Sequence, residues 1–294
     1  MNVQMFRFSL LPLDSLQLSI FASDETIGNL PQSVEELIER KNSILLAVLP
    51  SAIDSFRHYG KTLIGRVLNG DSERFIIEIA IERSVVYDPE PFSPREISPD
   101  WPSFQIYVDN EPEAQLMAIE VSYRTYPDAR TFTKSLETAI NAELRRYGLL
   151  ITVLPIYREA DFWRFAAANR GKITEVKFDL FVPNRKSITD AFSEEWLRGA
   201  KTQTNAQKVG YSLRSDPKTA LHIEPDNQFV APAVQRAADG GGDMSAKADG
   251  KRVHFGKKAL TVTRERYTIT GDDPESVLKA VEAIARLRDE ELSD

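Results

Sequence analysis

The sequence predicts an α+β protein: a mixed, mostly antiparallel sheet with packed helices, followed by a smaller C-terminal α+β portion. Several short runs alternate apolar and polar residues, which is the period of a half-buried strand. Two longer stretches, 131–147 and 274–288, repeat apolar residues every three or four positions, which is the period of a helix. Between 104 and 182 the pattern reads strand, strand, helix, strand, helix, strand, the order of a sheet with helices packed on it.

The elements follow in order. Phe6, Phe8 and Leu10 alternate with Arg7 and Ser9, and Leu16, Leu18 and Ile20 alternate with Gln17 and Ser19. Two strands, separate or joined as a hairpin, account for both runs. Ser33 and Glu36 form a capping-box pattern, and the apolar positions from Val34 to Val48 have helical spacing up to Pro50. The apolar run Ile44–Leu49 is also compatible with a buried strand. Residues 61–68 and 74–81 read as strands joined by Asn69-Gly70-Asp71, residue types that tolerate positive φ. The five prolines between 88 and 102 predict a solvated loop.

Strands are expected at 104–108 and 116–121, and a helix at 131–147 ending at Gly148. A strand at 149–157 follows, then a short helix capped by Asp161 and a strand at 173–182. Residues 188–200 read as a helix, and 202–215 carry no clear period. The stretch 237–252 has a flexible composition around Gly240-Gly241-Gly242, with a short strand at 244–248. A strand at 259–269 and a helix with Asp273 as N-cap and Pro274 at its first position complete the chain. The expected division is an N-terminal α+β domain, 1–186, and a basic C-terminal α+β region, 187–294, for DNA binding or dimerisation.

The 294 residues include 42% hydrophobic and 28% charged side chains, an ordinary globular balance. The longest apolar run is far shorter than the roughly 20 residues of a membrane span. The N-terminus lacks the pattern of a signal peptide. There is no cysteine, which excludes disulfides, thiolate metal sites and thiol catalysis and fits a reducing cytoplasm.

The net charge of −7 is unevenly spread. Residues 1–120 carry 9 basic and 19 acidic side chains, whereas 121–218 carry 17 and 11. Residues 247–266 carry 7 basic and 2 acidic side chains, a local net of +5. Such a layout gives an acidic front and two basic zones, and the basic zones can attract polyanions despite the acidic total.

No phosphate-cradling glycine loop, dinucleotide fingerprint or nucleophile elbow is present. His58, His222 and His254 lack metal-ligand spacing and read as surface or structural histidines. No cofactor is expected. One nuclease-like pattern exists: Asp161 followed by Glu175 and Lys177 on a strand, the residue types that hold a divalent ion and orient water. Strand alternation offers a simpler account, with Val176, Phe178, Leu180 and Val182 buried. Glu175, Lys177 and Asp179 then form a face neutralised across strands or at i,i+2.

The stronger signal is basic. Phosphate neutralisation needs several Lys or Arg on one surface. The candidates are Lys247, Lys251, Arg252, Lys257, Lys258, Arg264 and Arg266, with Arg185, Lys186, Arg198, Lys201 and Lys208 as a second group. A merely solvated face balancing the acidic front stays open as the alternative.

A resemblance bears on that choice. Pro102-Ser103-Phe104 opens a strand, followed by a polar turn, a strand and the helix beginning Thr131-Phe132-Thr133-Lys134-Ser135-Leu136. The strand from Leu150 to Ile156, the short helix at Asp161 and the strand from Lys172 to Pro183 follow. The late run from Met244 to Gly250 and a terminal amphipathic helix agree as well. This pattern resembles RexA, the phage-encoded exclusion protein, and related prokaryotic antiviral proteins such as the B subunit of the Kiwa system. It covers about residues 60–185, and 240–290 less closely. The resemblance implies a non-enzymatic DNA-binding sensor of antiphage defence. Such a protein binds double-stranded DNA without sequence preference as a homodimer. It is also expected to couple to a partner protein of the same system, which could be membrane-bound. A metal-dependent nuclease and an adaptor without nucleic-acid affinity are the alternatives.

Overall fold

The structure, a computed structural model, describes residues 1–13, 31, 33–87, 92, 96–121, 129–182, 204, 206–216, 218–256, 259–263 and 273–293. Among them are five α-helices and 14 strands, and every strand pair is antiparallel. The α+β class expected from periodicity is the class observed.

The larger sheet has eight strands. Its order is β14 (Thr261–Thr263), β1 (Asn2–Pro12), β8 (Leu116–Glu120), β7 (Ser103–Asp109), β4 (Arg74–Ile81), β3 (Lys61–Asn69) and β2 (Phe56–His58). The eighth strand, β9 (Leu149–Pro155), also pairs with β1.

Strand β1 is buried along most of its length because both faces of this sheet are covered. Phe6, Phe8 and Leu10 join one core with helices α1 (Val34–Ile53) and α2 (Ala129–Leu144). Val3 and Met5, on the opposite face, pack in another core with Val277, Val281 and Ile284 of α5 (Pro274–Ser293). Each fully buried Phe or Leu contributes about 1.5–3 kcal/mol of transfer free energy.

The cap signals read from sequence are present. Ser33 accepts from the Glu36 amide at 3.1 Å, and Asp273 accepts from the amides of Glu275 at 3.3 Å and Ser276 at 3.2 Å. Gly148 is left-handed at φ 70° and closes the turn after α2.

The smaller sheet has four strands in the order β11 (Lys208–Arg214), β10 (Ile173–Phe181), β12 (Gly242–Ala248) and β13 (Lys251–His254). Val176, Phe178 and Leu180 point to one face. There they meet Phe162 of α3 (Glu159–Ala168) and Val234 of α4 (Ala231–Arg236). A separate hairpin pairs β5 (Arg83–Tyr87) with β6 (Glu96–Asp100).

Several expectations are corrected. The proline-rich stretch holds a strand, β6, with Pro99 opposite Ser84. A two-stranded ribbon consists only of edges, and an edge tolerates a residue with no N–H to donate. Pro50 does not end α1, which continues to Ile53, and the Asp54 amide still donates to Pro50 O.

The strand-helix run from 104 to 182 does not form one sheet. Strands β7, β8 and β9 stay in the larger sheet, and α3 carries the chain across to β10 in the smaller one. Pairing also crosses position 186, because β10 pairs with β11 and β12 and β1 pairs with β14. The boundary between the sheets is therefore not at 186. The aperiodic stretch at 202–215 contains β11, and 251–254 forms a strand that the sequence did not announce. The expected strand at 16–20 and helix at 188–200 lie outside the described residues.

Gly240 and Gly241 do not form an exposed flexible turn. They are buried in the turn Ala237–Gly241, where Asp239 (ψ 18°) and Gly240 (φ 75°) leave helical geometry before the chain enters β12. No helix among the described residues is long and apolar enough to cross a membrane.

Candidate nucleic-acid interface

The apolar alternation of β10 leaves Glu175, Lys177 and Asp179 on the face turned away from α3 and α4. Antiparallel register sets each of them in a rung of side chains that share this face. The first rung is Arg214, Glu175, Lys247 and Arg252. The second is Ser212, Lys177, Ser245 and His254. In the third, Asp179 lies between Gly210 and Asp243. A Cβ at Gly210 would sit 2.7 Å from Asp179 Oδ1, so the glycine makes room for that carboxylate.

Apart from Lys247, Ser212 and Gly210, these rungs line a concavity of about 680 Å³. Arg130, from the first turn of α2, closes one side and approaches Asp243 at 3.7 Å. The site therefore lies where the covering helix of the larger sheet meets the smaller sheet.

Glu175 is the electrostatic centre of the first rung. Its side chain is 11% exposed and bridges two guanidinium groups, Arg252 at 2.6 Å and Arg214 at 3.2 Å. Arg252 also donates to Ser245 Oγ at 3.1 Å. Burial pushes the Glu175 carboxyl up, but the hydrogen bond and charge of Arg252, with those of Arg214, outweigh it. The group therefore titrates below the ordinary glutamate value and is ionised at neutral pH. Lys177 pairs with Asp179 at 2.7 Å, two residues along the strand. Cross-strand and i,i+2 neutralisation therefore both operate.

Near the third rung, Tyr157 is buried and its hydroxyl has no hydrogen-bond partner. Burial raises its pKa, with the charges of Asp243 and Glu159 adding to the effect.

The nuclease-like triplet does not assemble. Asp161 sits in the first turn of α3, which packs on the apolar face of β10, whereas Glu175 and Lys177 occupy the polar face. Asp161 is not the helix cap either. The cap position is Arg158, and Asp161 pairs with Arg164 one turn on. Among the described residues no cluster of three or more His, Asp or Glu is placed to hold a metal.

Four residues of the two basic groups are described, and of these Lys208 opens β11 with its Nζ 5.2 Å from the centroid of the Phe181 ring. Lys247 and Arg252 share the first rung. Lys251 precedes Arg252 on the edge strand and so points to the opposite face. Arg185, Lys186, Arg198, Lys201, Lys257, Lys258, Arg264 and Arg266 lie outside the described residues. Phe255, an aromatic of the basic zone, packs its ring against Phe162 and Phe165 at 5.3 and 5.4 Å.

Sequence reasoning did not place Arg130, Arg214, Ser245 or Asp243 at the site, and it read His254 as a surface or structural residue. A signal did exist for one of them. Lys208, Gly210, Ser212 and Arg214 alternate with Val209, Tyr211 and Leu213, which is strand period with one polar face.

No protein-family model matches the chain, and neither the curated proteins nor the solved structures contain a match.

Proposed function

We propose that this protein binds double-stranded DNA without sequence preference through the polar face of its four-stranded sheet. The observation that carries the reading is the first rung, where Arg214, Lys247 and Arg252 lie in register with Glu175 and both guanidinium groups pair with its carboxylate. Counting the three rungs and Arg130, five side chains are cationic and three are carboxylates. Guanidinium groups suit phosphate oxygens because they donate two parallel hydrogen bonds. Contacts of this kind position a protein on the backbone without reading bases.

The setting we infer is bacterial antiphage defence. There the protein would act in the cytoplasm as a non-enzymatic sensor, a homodimer coupled to a partner protein. This part rests on the resemblance to RexA and the Kiwa B subunit. The basic residues outside the described part of the chain are proposed to contact phosphates as well.

The test is a gel shift with random-sequence duplex DNA across a salt titration. Arg214→Gln and Lys247→Gln should each weaken binding equally on unrelated sequences. Each should also flatten the slope of log K against log salt by about 0.9. Unchanged affinity in the double variant would overturn the assignment. Plasmid incubated with Mg²⁺ or Mn²⁺ should remain intact.

A further inference from the structure

The three rungs differ in charge, and the difference is ordered along the strands. The first carries three cations and Glu175. The second carries two hydroxyls, Ser212 and Ser245, with Lys177 and His254. The third carries two carboxylates, Asp179 and Asp243. Uniform polyanion binding explains the first rung only, since Asp179 and Asp243 would repel a second phosphate.

We propose that the concavity is a binding site for a free nucleoside 5′-phosphate. Its phosphate would lie on Arg214 and Arg252, and its hydroxyl and amino groups on Asp179 and Asp243. The inference goes beyond duplex binding and shares only the cationic rung with it.

Four residues of extended strand separate the first rung from the third, about 13 Å at 3.3 Å per residue. A ligand spanning that distance must be anionic at one end and rich in hydrogen-bond donors at the other. Ribose hydroxyls and exocyclic base amines are such donors, and carboxylates are their usual acceptors. Asp179 and Asp243 already face Lys177 at 2.7 Å and Arg130 at 3.7 Å. An ionised carboxylate has about four acceptor positions, so one ion pair leaves capacity for a ligand. Arg214 has a side chain 69% exposed and spends its described contacts on Glu175 alone. The volume, about 680 Å³, is that of a small-molecule site.

Isothermal titration of the full chain with AMP, adenosine and inorganic phosphate tests the proposal. AMP should bind, and adenosine and phosphate should each bind about tenfold more weakly or worse. Arg214→Gln should weaken AMP about tenfold. Asp243→Asn should weaken AMP while leaving inorganic phosphate unchanged, and circular dichroism of each variant checks that it is folded. No heat with AMP would overturn the proposal. So would phosphate binding as tightly as AMP, which would reduce the site to an anion hole, or AMP affinity indifferent to Asp243→Asn. The duplex gel shift is scored separately. A retained shift without AMP binding sinks this inference alone, and AMP binding without a shift sinks the DNA reading alone.

Discussion

Arg7 donates to Asp239 twice across 232 residues of chain, from Nε to the backbone oxygen at 2.6 Å and from Nη2 to the carboxylate at 2.5 Å. Its Nη1 donates to Ala114 O at 2.7 Å. Arg7 belongs to β1 of the larger sheet, and Asp239 belongs to the kinked turn, Ala237–Gly241, that enters β12 of the smaller sheet. One buried guanidinium therefore joins the first strand of the fold to the chain that builds the candidate site.

Replacing Arg7 with Ala should cost about 2–4 kcal/mol, because two backbone oxygens lose a charged donor in a part-buried setting. Asp239→Asn keeps an acceptor at a more exposed position and should cost about 1 kcal/mol or less. Urea denaturation of the two variants checks the order. Equal losses would show that the carboxylate, and not the backbone oxygens, holds the contact.

Gly240 sits beside this contact at φ +75°, where a Cβ would lie 2.6 Å from Arg7 Cβ. A side chain there meets both left-handed strain, about 1–2 kcal/mol, and a clash with the side chain that locks the turn. Gly240→Ala should therefore lower stability by about 2 kcal/mol or more. Gly171→Ala is the control, since it has the same sign of φ and no neighbour within 4 Å. Thermal melts should separate the two.

His58 is buried, with Nδ1 2.9 Å from Ser135 Oγ and Nε2 without a partner. Burial lowers its pKa below 6.5, so the folded state binds fewer protons than the unfolded chain as the histidine begins to titrate. Stability from this group is present above pH 6.5 and is lost as pH falls from there through the folded value. Wild-type protein should lose stability relative to His58→Gln as pH falls from about 7 through 6.5 and on toward the folded value. Parallel pH curves for the two proteins would refute the assignment.

Glu175 shows the usual carboxylate case. Its folded pKa is depressed below 4.5, so its contribution is complete above that value and disappears as pH falls through the folded one. Glu175→Gln should lower Tm at pH 7 by about 2–4 °C. The difference should narrow as pH falls below 4.5 and close once the pH is below the folded value, where both side chains are neutral. A gap that persists in acid would point to packing instead of charge.

Local order was legible in the sequence. The alternation of β1, β4 and β10, the helical period of α2 and α5, and the caps at Ser33 and Asp273 all depend on neighbours within a few residues. Alternation also separated Val176, Phe178 and Leu180 from Glu175, Lys177 and Asp179, and so identified the polar face of β10 before any partner was known. Composition marked the zone that contributes Lys247 and Arg252.

Only the tertiary structure decided what surrounds Glu175. Arg214 and Arg252 reach it from 39 and 77 residues away, through the register of two separate strand pairs. Register depends on how whole strands bury their apolar faces together, and a one-residue slip would turn every charge to the other side. The same long-range packing removed Asp161 from the polar face. It also buried Gly240 against Arg7 and Gly241 against Arg236, where composition suggested a loose turn. Local periodicity therefore determined which side chains of each strand face together. The assembly of the strands determined which of those faces became a site.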